Sequence, residues 1–346
     1  MEGRSKGGTH MHVTLYKPGI IPIPPTLYGG TERVIYWLGK ALVELGHQVT
    51  LIANARSHIP GVELRAVDCE EKDPQAWLRL VPDSADIVHL HSRPPRLCAK
   101  PFLFTSHGNG QPGEQFHPNT VFVSRRQAEN HGSCHFVYNG LDPGEYAFSE
   151  KREDYAVFVA KARWKVKNFH GAITVARRAG IELRVFGSRN WPFNLQKLLP
   201  QVRGARYYGM IGGAEKRDLL SRARCLIFPV RWEEPFGISI IEALVSGAYV
   251  AGTPYGSLPE IVTPETGVLS ARAGELVDAV RNPQRFNPKA CRDYVLRGGF
   301  THLDMARKYL KYYEQVLAHG SLDGAKEPAP ATRPGFMAKR LLPWED

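Results

Sequence analysis

Short β-branched runs alternate with amphipathic stretches twice along this chain, and one turn-rich break separates the two series. "MHVTLY", "TERVIYWLGKALVEL" and "HQVTLIA" read as strand, helix and strand. In the helix, Val34, Leu38, Ala41, Leu42 and Leu45 keep a helical period, Thr31 is placed to cap the start, and Gly46 suits the left-handed position beyond the end. "VELRAV", "ADIVHLH", "PFLFTS" and "TVFVS" continue as strands. After "VYNGLDPGEYAFSEKRED" the series restarts with "YAVFVA", a helix from Phe169 to Ala179, "ELRVFG", a helix near "FNLQKLL", "ARYYG", the helix "AEKRDLLSRA" and "RCLIFPV". A helix containing Ile240 to Leu244, "AYVAGT" and two further helical stretches complete it. Such alternation favours parallel sheets covered by helices, and two series predict an α/β chain of two facing, doubly wound, Rossmann-like domains.

The 346 residues, 43% of them hydrophobic, suffice for two domains. The expected division is a tag or extension over 1–12, one domain over 13–145, a second over 146–300, a closing helix over 301–319 and a flexible Pro/Ala/Gly-rich tail over 320–346. Five cysteines without a C-x-x-C spacing argue against a disulfide framework or a zinc site, so a reducing cytoplasm is the expected location. No apolar run approaches the roughly 18 residues of a membrane span and no leader is apparent, so any membrane contact is expected to be peripheral. The net charge of +11 points to an anionic partner: phosphate, nucleic acid or an acidic membrane surface. The basic residues are spread over both halves without a helix-turn-helix or RNA-recognition motif, so nucleic acid is not the expected partner.

Four places could carry chemistry. Gly29 and Gly30, between the first strand and first helix, form either a tight turn or an anion-facing helix start. Lys161, Arg163, Lys165 and Lys167 put four cations into seven positions after the first strand of the second series, as either a solvated face or a pyrophosphate clamp. In "EEPFGISIIEAL", Pro235 marks a helix beginning between Pro235 and Ile238, with Glu234 just ahead of it. Glu242 lies about 40° around that helix from Ile238 and about 60° from Val245, bordering its apolar face. A carboxylate there needs hydrogen-bond donors. Sugar hydroxyls or an interdomain salt bridge would serve Glu242, and dipole compensation alone could explain Glu234. Lastly, His89, His91 and His107 lie at strand ends of the first domain, where His107, followed by Gly108 and Asn109, is best placed to face a cleft. No Glu or Cys stands at metal-ligand spacing beside them.

Together these segments resemble family 4 of the retaining glycosyltransferases, of GT-B architecture. The resemblance runs from "YGGTERV" and "ELGHQVTLIA" to the last long helix, and its most specific part is "EEPFGISIIEALVSGAYVAGTPYGSLPEIV", similar to the family's E-x7-E element and its following G-x-P-E-I-V segment. It implies transfer of a sugar from a nucleoside-diphosphate sugar to an acceptor hydroxyl with retention, without a metal or other cofactor. It also implies roles: Glu242 for the ribose hydroxyls, Glu234 for the donor sugar, and the amides of Phe236, Gly237 and Ile238 for sugar and phosphates. Arg163 and Lys167 would hold the leaving diphosphate, Gly30 would approach it from the other domain, Met210 and Ile211 would border the base, and His107 would stand near sugar and acceptor. In the family the basic pair is five or six positions apart, whereas Arg163 and Lys167 are four apart and Lys161 and Lys167 six, so either Lys161 or Arg163 is the first member. The acceptor, whether saccharide, lipid or small molecule, is not encoded legibly, and the basic surface is compatible with peripheral contact to an anionic membrane face. GT-B proteins also include phosphorylases and sugar-nucleotide epimerases, which keep the fold and change the reaction.

Overall fold

The computed structural model describes residues 10–27, 29–67, 75–93, 97–111, 113–187, 201–202, 205–322 and 341–346. The helix expected near "FNLQKLL", Cys69, most of the N-terminal extension and most of the expected tail lie outside the described residues.

The first half contains β1 (His12–Lys17), α1 (Gly30–Glu44), β2 (Gln48–Ala53), β3 (Glu63–Ala66), β4 (Ile87–Leu90), β5 (Phe102–Ser106), β6 (Thr120–Phe122) and α2 (Arg125–Asn130). Its strands form a parallel sheet in the order β3-β2-β1-β4-β5-β6. The second half contains β7 (Tyr155–Val159), α3 (Phe169–Ala179), β8 (Glu182–Phe186), β9 (Gln201–Val202), β10 (Ala205–Gly209), α4 (Gly213–Arg222), β11 (Cys225–Phe228) and α5 (Ile238–Val245). It continues with β12 (Tyr249–Gly252), α6 (Leu258–Ile261), β13 (Gly267–Leu269), α7 (Ala273–Arg281) and α8 (Pro288–Arg297). The order β13-β12-β11-β7-β8-β10-β9 is parallel apart from β9, which runs antiparallel to β10. In both sheets the first strand lies centrally and the strand order reverses beside it. That reversal opens the crevice where doubly wound folds take ligands. The strands read as apolar runs because helices cover both faces: β4, β11 and β12 are buried at every position.

Helix α1 starts one residue before Thr31, so Thr31 lies inside it and Gly29 is the capping residue, without a side-chain bond. Glu32 in the first turn supplies the charge that favours this end. Gly46 has φ 87°, the left-handed exit expected of it.

The chain crosses between the halves twice, and the crossings are hydrogen-bonded: Leu141 N–H donates to Phe300 O at 3.0 Å and His302 N–H to Leu141 O at 2.8 Å. Beyond the second crossing, α9 (His302–His319) returns to the first sheet. Thr105 Oγ1 donates to Tyr309 OH at 3.0 Å, and Tyr313 OH is 2.7 Å from His89 Nδ1. Residues 341–346, part of the expected flexible tail, are seated on the second half. Leu342 exchanges hydrogen bonds with Arg231, by its N–H to Arg231 O at 2.9 Å and by its carbonyl from Arg231 Nε at 2.7 Å. Glu345 and Ala273 extend this contact, and Trp344 packs on the core. An apolar segment with unpaired backbone groups gains from such docking, which composition alone does not reveal. Among the described residues no helix is long and apolar enough to cross a membrane.

Candidate active site

The residues that follow β1, β5, β7, β8, β10 and β11 converge on one cleft of about 470 Å³ between the sheets. Gly29, Gly30 and His107 line it from the first half, and Lys161, Lys167, Ile211, Glu234, Phe236, Gly237, Ile238 and Glu242 from the second. Gly30 faces Ile238 closely enough that a Cβ on it would lie 3.8 Å from Ile238 Cγ2.

Glu234 sits just before α5, as its spacing from Pro235 implies. Its Oε2 accepts from Lys167 Nζ at 2.5 Å and from Trp232 Nε1 at 2.6 Å. Lys167 also lies 4.9 Å from the Trp232 ring centroid and 5.3 Å from that of Phe228, so two π-faces and a carboxylate surround this cation. It is positioned by the 3₁₀ turn Lys165–Lys167, which ends at Asn168 in the left-handed region, and Asn168 then caps α3 by accepting from Gly171 N–H. Gly237, with φ 76°, turns the chain into α5. Behind Glu234, Ser257 N–H donates to its carbonyl at 3.0 Å, and Gly256 lies so close that a Cβ would meet Glu234 N at 2.2 Å. The "PYGSLPEIV" segment is therefore the backing of the carboxylate loop.

Glu242 is 4% exposed. Both its oxygens accept from Lys216 Nζ at 2.7 Å, and Oε1 also accepts from Tyr146 OH at 2.7 Å. The salt bridge is thus made within the second half rather than between domains. Burial and the adjacent carboxylate push the Tyr146 phenol well above its ordinary range. With three hydrogen bonds accepted, Glu242 retains a lone pair on Oε2 for a further donor.

His107 Nε2 is 3.0 Å from His91 Nδ1, and His91 packs in turn against His89, tilted by 35° with ring centroids 4.0 Å apart; His89 Nε2 is 2.7 Å from Thr105 Oγ1. Burial and the Lys17 cation lower the His107 pKa to about 3, so the ring is neutral at pH 7. Among the described residues no group of three or more His, Cys, Asp or Glu could hold a metal ion.

Two of the expected residues do not line the cleft. Arg163 is exposed, whereas Lys161 lines it with Nζ 4.5 Å from the Trp164 ring centroid; Met210 is half-buried outside it, whereas Ile211 lines it. Sequence reasoning missed Trp232, Lys216, Glu32, Arg33 and Asn139, which also line it. Trp232 stands two residues before Glu234, a signal that could have been read; Lys216 on an exposed-looking helix gave none.

Residues 146–289 match the family model described as "Glycosyl transferases group 1". Glycogen synthase of Mycobacterium tuberculosis is 26% identical over 148 residues, which cover 39% of this chain and 35% of the synthase. The chain thus spans about a third of the length of the curated relatives it matches. Among solved structures, AviGT4, a glycosyltransferase involved in avilamycin A biosynthesis, superposes with a TM-score of 0.72 at 24% identity, over 89% of this chain and 98% of that one. Anabaena HepE in complex with UDP-glucose superposes with a TM-score of 0.63 at 14% identity, over 88% and 100%. These likenesses show the fold: two facing Rossmann-like domains in the GT-B arrangement.

Proposed function

We propose that this chain is a retaining glycosyltransferase of family 4, moving a sugar from a nucleoside-diphosphate sugar to an acceptor hydroxyl in glycan, polysaccharide or glycolipid synthesis. The observation that carries the reading is the buried Lys167–Glu234 pair at the start of α5, opposite Gly30 across the cleft. The family match over residues 146–289 and the UDP-glucose bound by the Anabaena neighbour support the donor class.

Glu234 orients the donor sugar through its hydroxyls, and the amides at the start of α5 meet sugar and phosphate. Lys167 and Lys161 hold the charge that develops on the leaving diphosphate, with Lys161 preferred to Arg163 because it lines the cleft. Glu242, steadied by Lys216, takes a ribose hydroxyl on its remaining lone pair, and Ile211 borders the base. The departing phosphate assists removal of the acceptor proton on the same face, near His107. The two lysines stand where a metal would otherwise balance charge, so turnover is expected to survive EDTA. The exposed Ile20, Ile21 and Leu27 after β1, beside Arg56, which donates to Ile20 O, support an acceptor with an apolar portion or one presented at an anionic membrane face.

A thermal-shift panel of UDP-, GDP-, ADP- and TDP-sugars, followed by transfer assays with the best binder, tests this. One donor should raise the melting temperature and Glu234→Ala should abolish its transfer without unfolding the chain. Binding of none of them, or full turnover by Glu234→Ala, would overturn the assignment.

A further inference from the structure

The two carboxylates beside the candidate donor site, Glu233 and Glu260, do not face the cleft. Both face the first half. Glu260, in α6, accepts from the backbone amides of Arg125 at 3.0 Å and Arg126 at 2.7 Å, at the start of α2, and from Tyr138 OH at 2.8 Å. Glu233, 7% exposed, accepts from Arg126 Nε at 3.2 Å and Asn130 Nδ2 at 3.4 Å, while its carbonyl accepts from Asn109 Nδ2 at 2.7 Å. A half-buried carboxylate that meets two orphan amides of a helix start and a phenol has its lone pairs well occupied. It has no need of a ligand to explain its position.

What these contacts join is specific. Asn109 is two residues from His107, and Glu233 immediately precedes Glu234. Helix α6 begins directly after Ser257, whose N–H holds the Glu234 carbonyl. Glu233 and Glu260 therefore tie the His107 loop and α2 of one half to the loop that carries Glu234 in the other. The two backbone crossings at 141 and 300–302 fix the chain's connection between the halves, and Phe300 reaches the Glu234 loop there through its ring, 6.3 Å from that of Phe236; Glu233 and Glu260 add the polar contacts to the His107 side.

We propose that Glu233 and Glu260 form an interdomain clasp that sets the registry of the His107 side of the cleft against Glu234, making both of them positioning residues. The proposal rests on the glycosyltransferase reading for its kinetic consequence, but the clasp itself is a statement about domain placement. In a two-domain transferase the donor is held mainly by one half, and the acceptor must be brought to it within a few tenths of an ångström. Loosening the clasp should leave the nucleotide grip intact and spoil the alignment.

The test compares full-length wild type with Glu260→Ala, Glu260→Gln, Glu233→Gln and Tyr138→Phe. Three properties are measured: affinity for the nucleoside diphosphate of the best donor, the partition of that donor between transfer and hydrolysis, and the radius of gyration by small-angle scattering. Glu260→Ala should keep that affinity within about threefold, lower transfer about 10- to 100-fold, shift the partition towards hydrolysis, and enlarge or broaden the scattering envelope. Glu260→Gln, which can still accept from the amides, should recover part of the loss, and Tyr138→Phe should lose least. Folding is checked by the melting transition, and the three conservative variants keep the comparison available if Glu260→Ala unfolds. Wild-type transfer and an unchanged envelope in both Glu260 variants would overturn the clasp. So would equal losses of nucleotide affinity and transfer with an unchanged envelope. If the wild type binds no nucleotide, the glycosyltransferase reading falls, and the envelope comparison alone still decides for or against the clasp.

Discussion

Lys167 and Glu234 take the place of each other's water. Their side chains are 12% and 7% exposed, and besides its partner the carboxylate has Trp232 as donor while the ammonium has two aromatic faces. Removing one charge strands the other, and a broken buried pair typically costs about 3 kcal/mol or more. Lys167→Met should therefore lower unfolding stability in urea by about that amount, and the double variant Lys167→Met/Glu234→Gln should regain much of it. Additive losses would show that the pair is not coupled. At this scale the sequence was half legible. The position of Glu234 ahead of a helix follows from Pro235, but its partner arrives from 67 positions upstream, and Tyr146 reaches Glu242 across 96. The four cations of "KARWKVK" are equivalent on paper; only the 3₁₀ turn Lys165–Lys167 decides that Lys167 turns inward while Arg163 stays in solvent.

Among the elements, the strands and long helices were the easiest to read, because buried parallel strands leave apolar runs and α3 carries its own left-handed exit at Gly180. The seated segment 341–346 was not legible. Its Pro, acidic and basic neighbours resemble a solvated tail, and its value comes from backbone bonds to a distant loop. Arg231 links it to the site: its N–H donates to Val166 O at 2.7 Å, next to Lys167, while its carbonyl and guanidinium hold Leu342. Deleting residues 341–346 should cost about 2 kcal/mol, because it removes a few hydrogen bonds whose net worth after exchange with water is about 0.5–1 kcal/mol each. That corresponds to a melting temperature lowered by about 4–8 °C. If the segment also backs the Lys167 turn, nucleotide affinity should fall with it. A truncated chain that melts and binds like the full one would reduce the contact to an ornament of the surface.

For the whole molecule, two doubly wound sheets, each with its first strand central, follow from two βα series, but the antiparallel edge strand β9 and the return of α9 to the first sheet do not. An amphipathic helix announces that it has a core face without saying whose core it joins. Here Tyr313 and Tyr309 find His89 and Thr105, so the last helix closes over a stack of imidazoles that also includes His91 and His107. Burial lowers the pKa of all three histidines, His107 to about 3, and His12, His47 and His131 share the direction. The unfolded chain takes up protons near pH 6.5 that the folded chain refuses, so acid favours unfolding and stability is lost as pH falls below that value. Each such histidine adds up to about 1.4 kcal/mol per pH unit to the slope until its folded pKa is reached. The melting temperature should therefore fall steadily from pH 7 to pH 5, and His107→Asn should flatten the slope by about one proton. A melting temperature that stays level or rises over this range would mean that the imidazoles protonate inside the folded cluster. The tie between the first sheet and the returning helix would then have to tolerate positive charge.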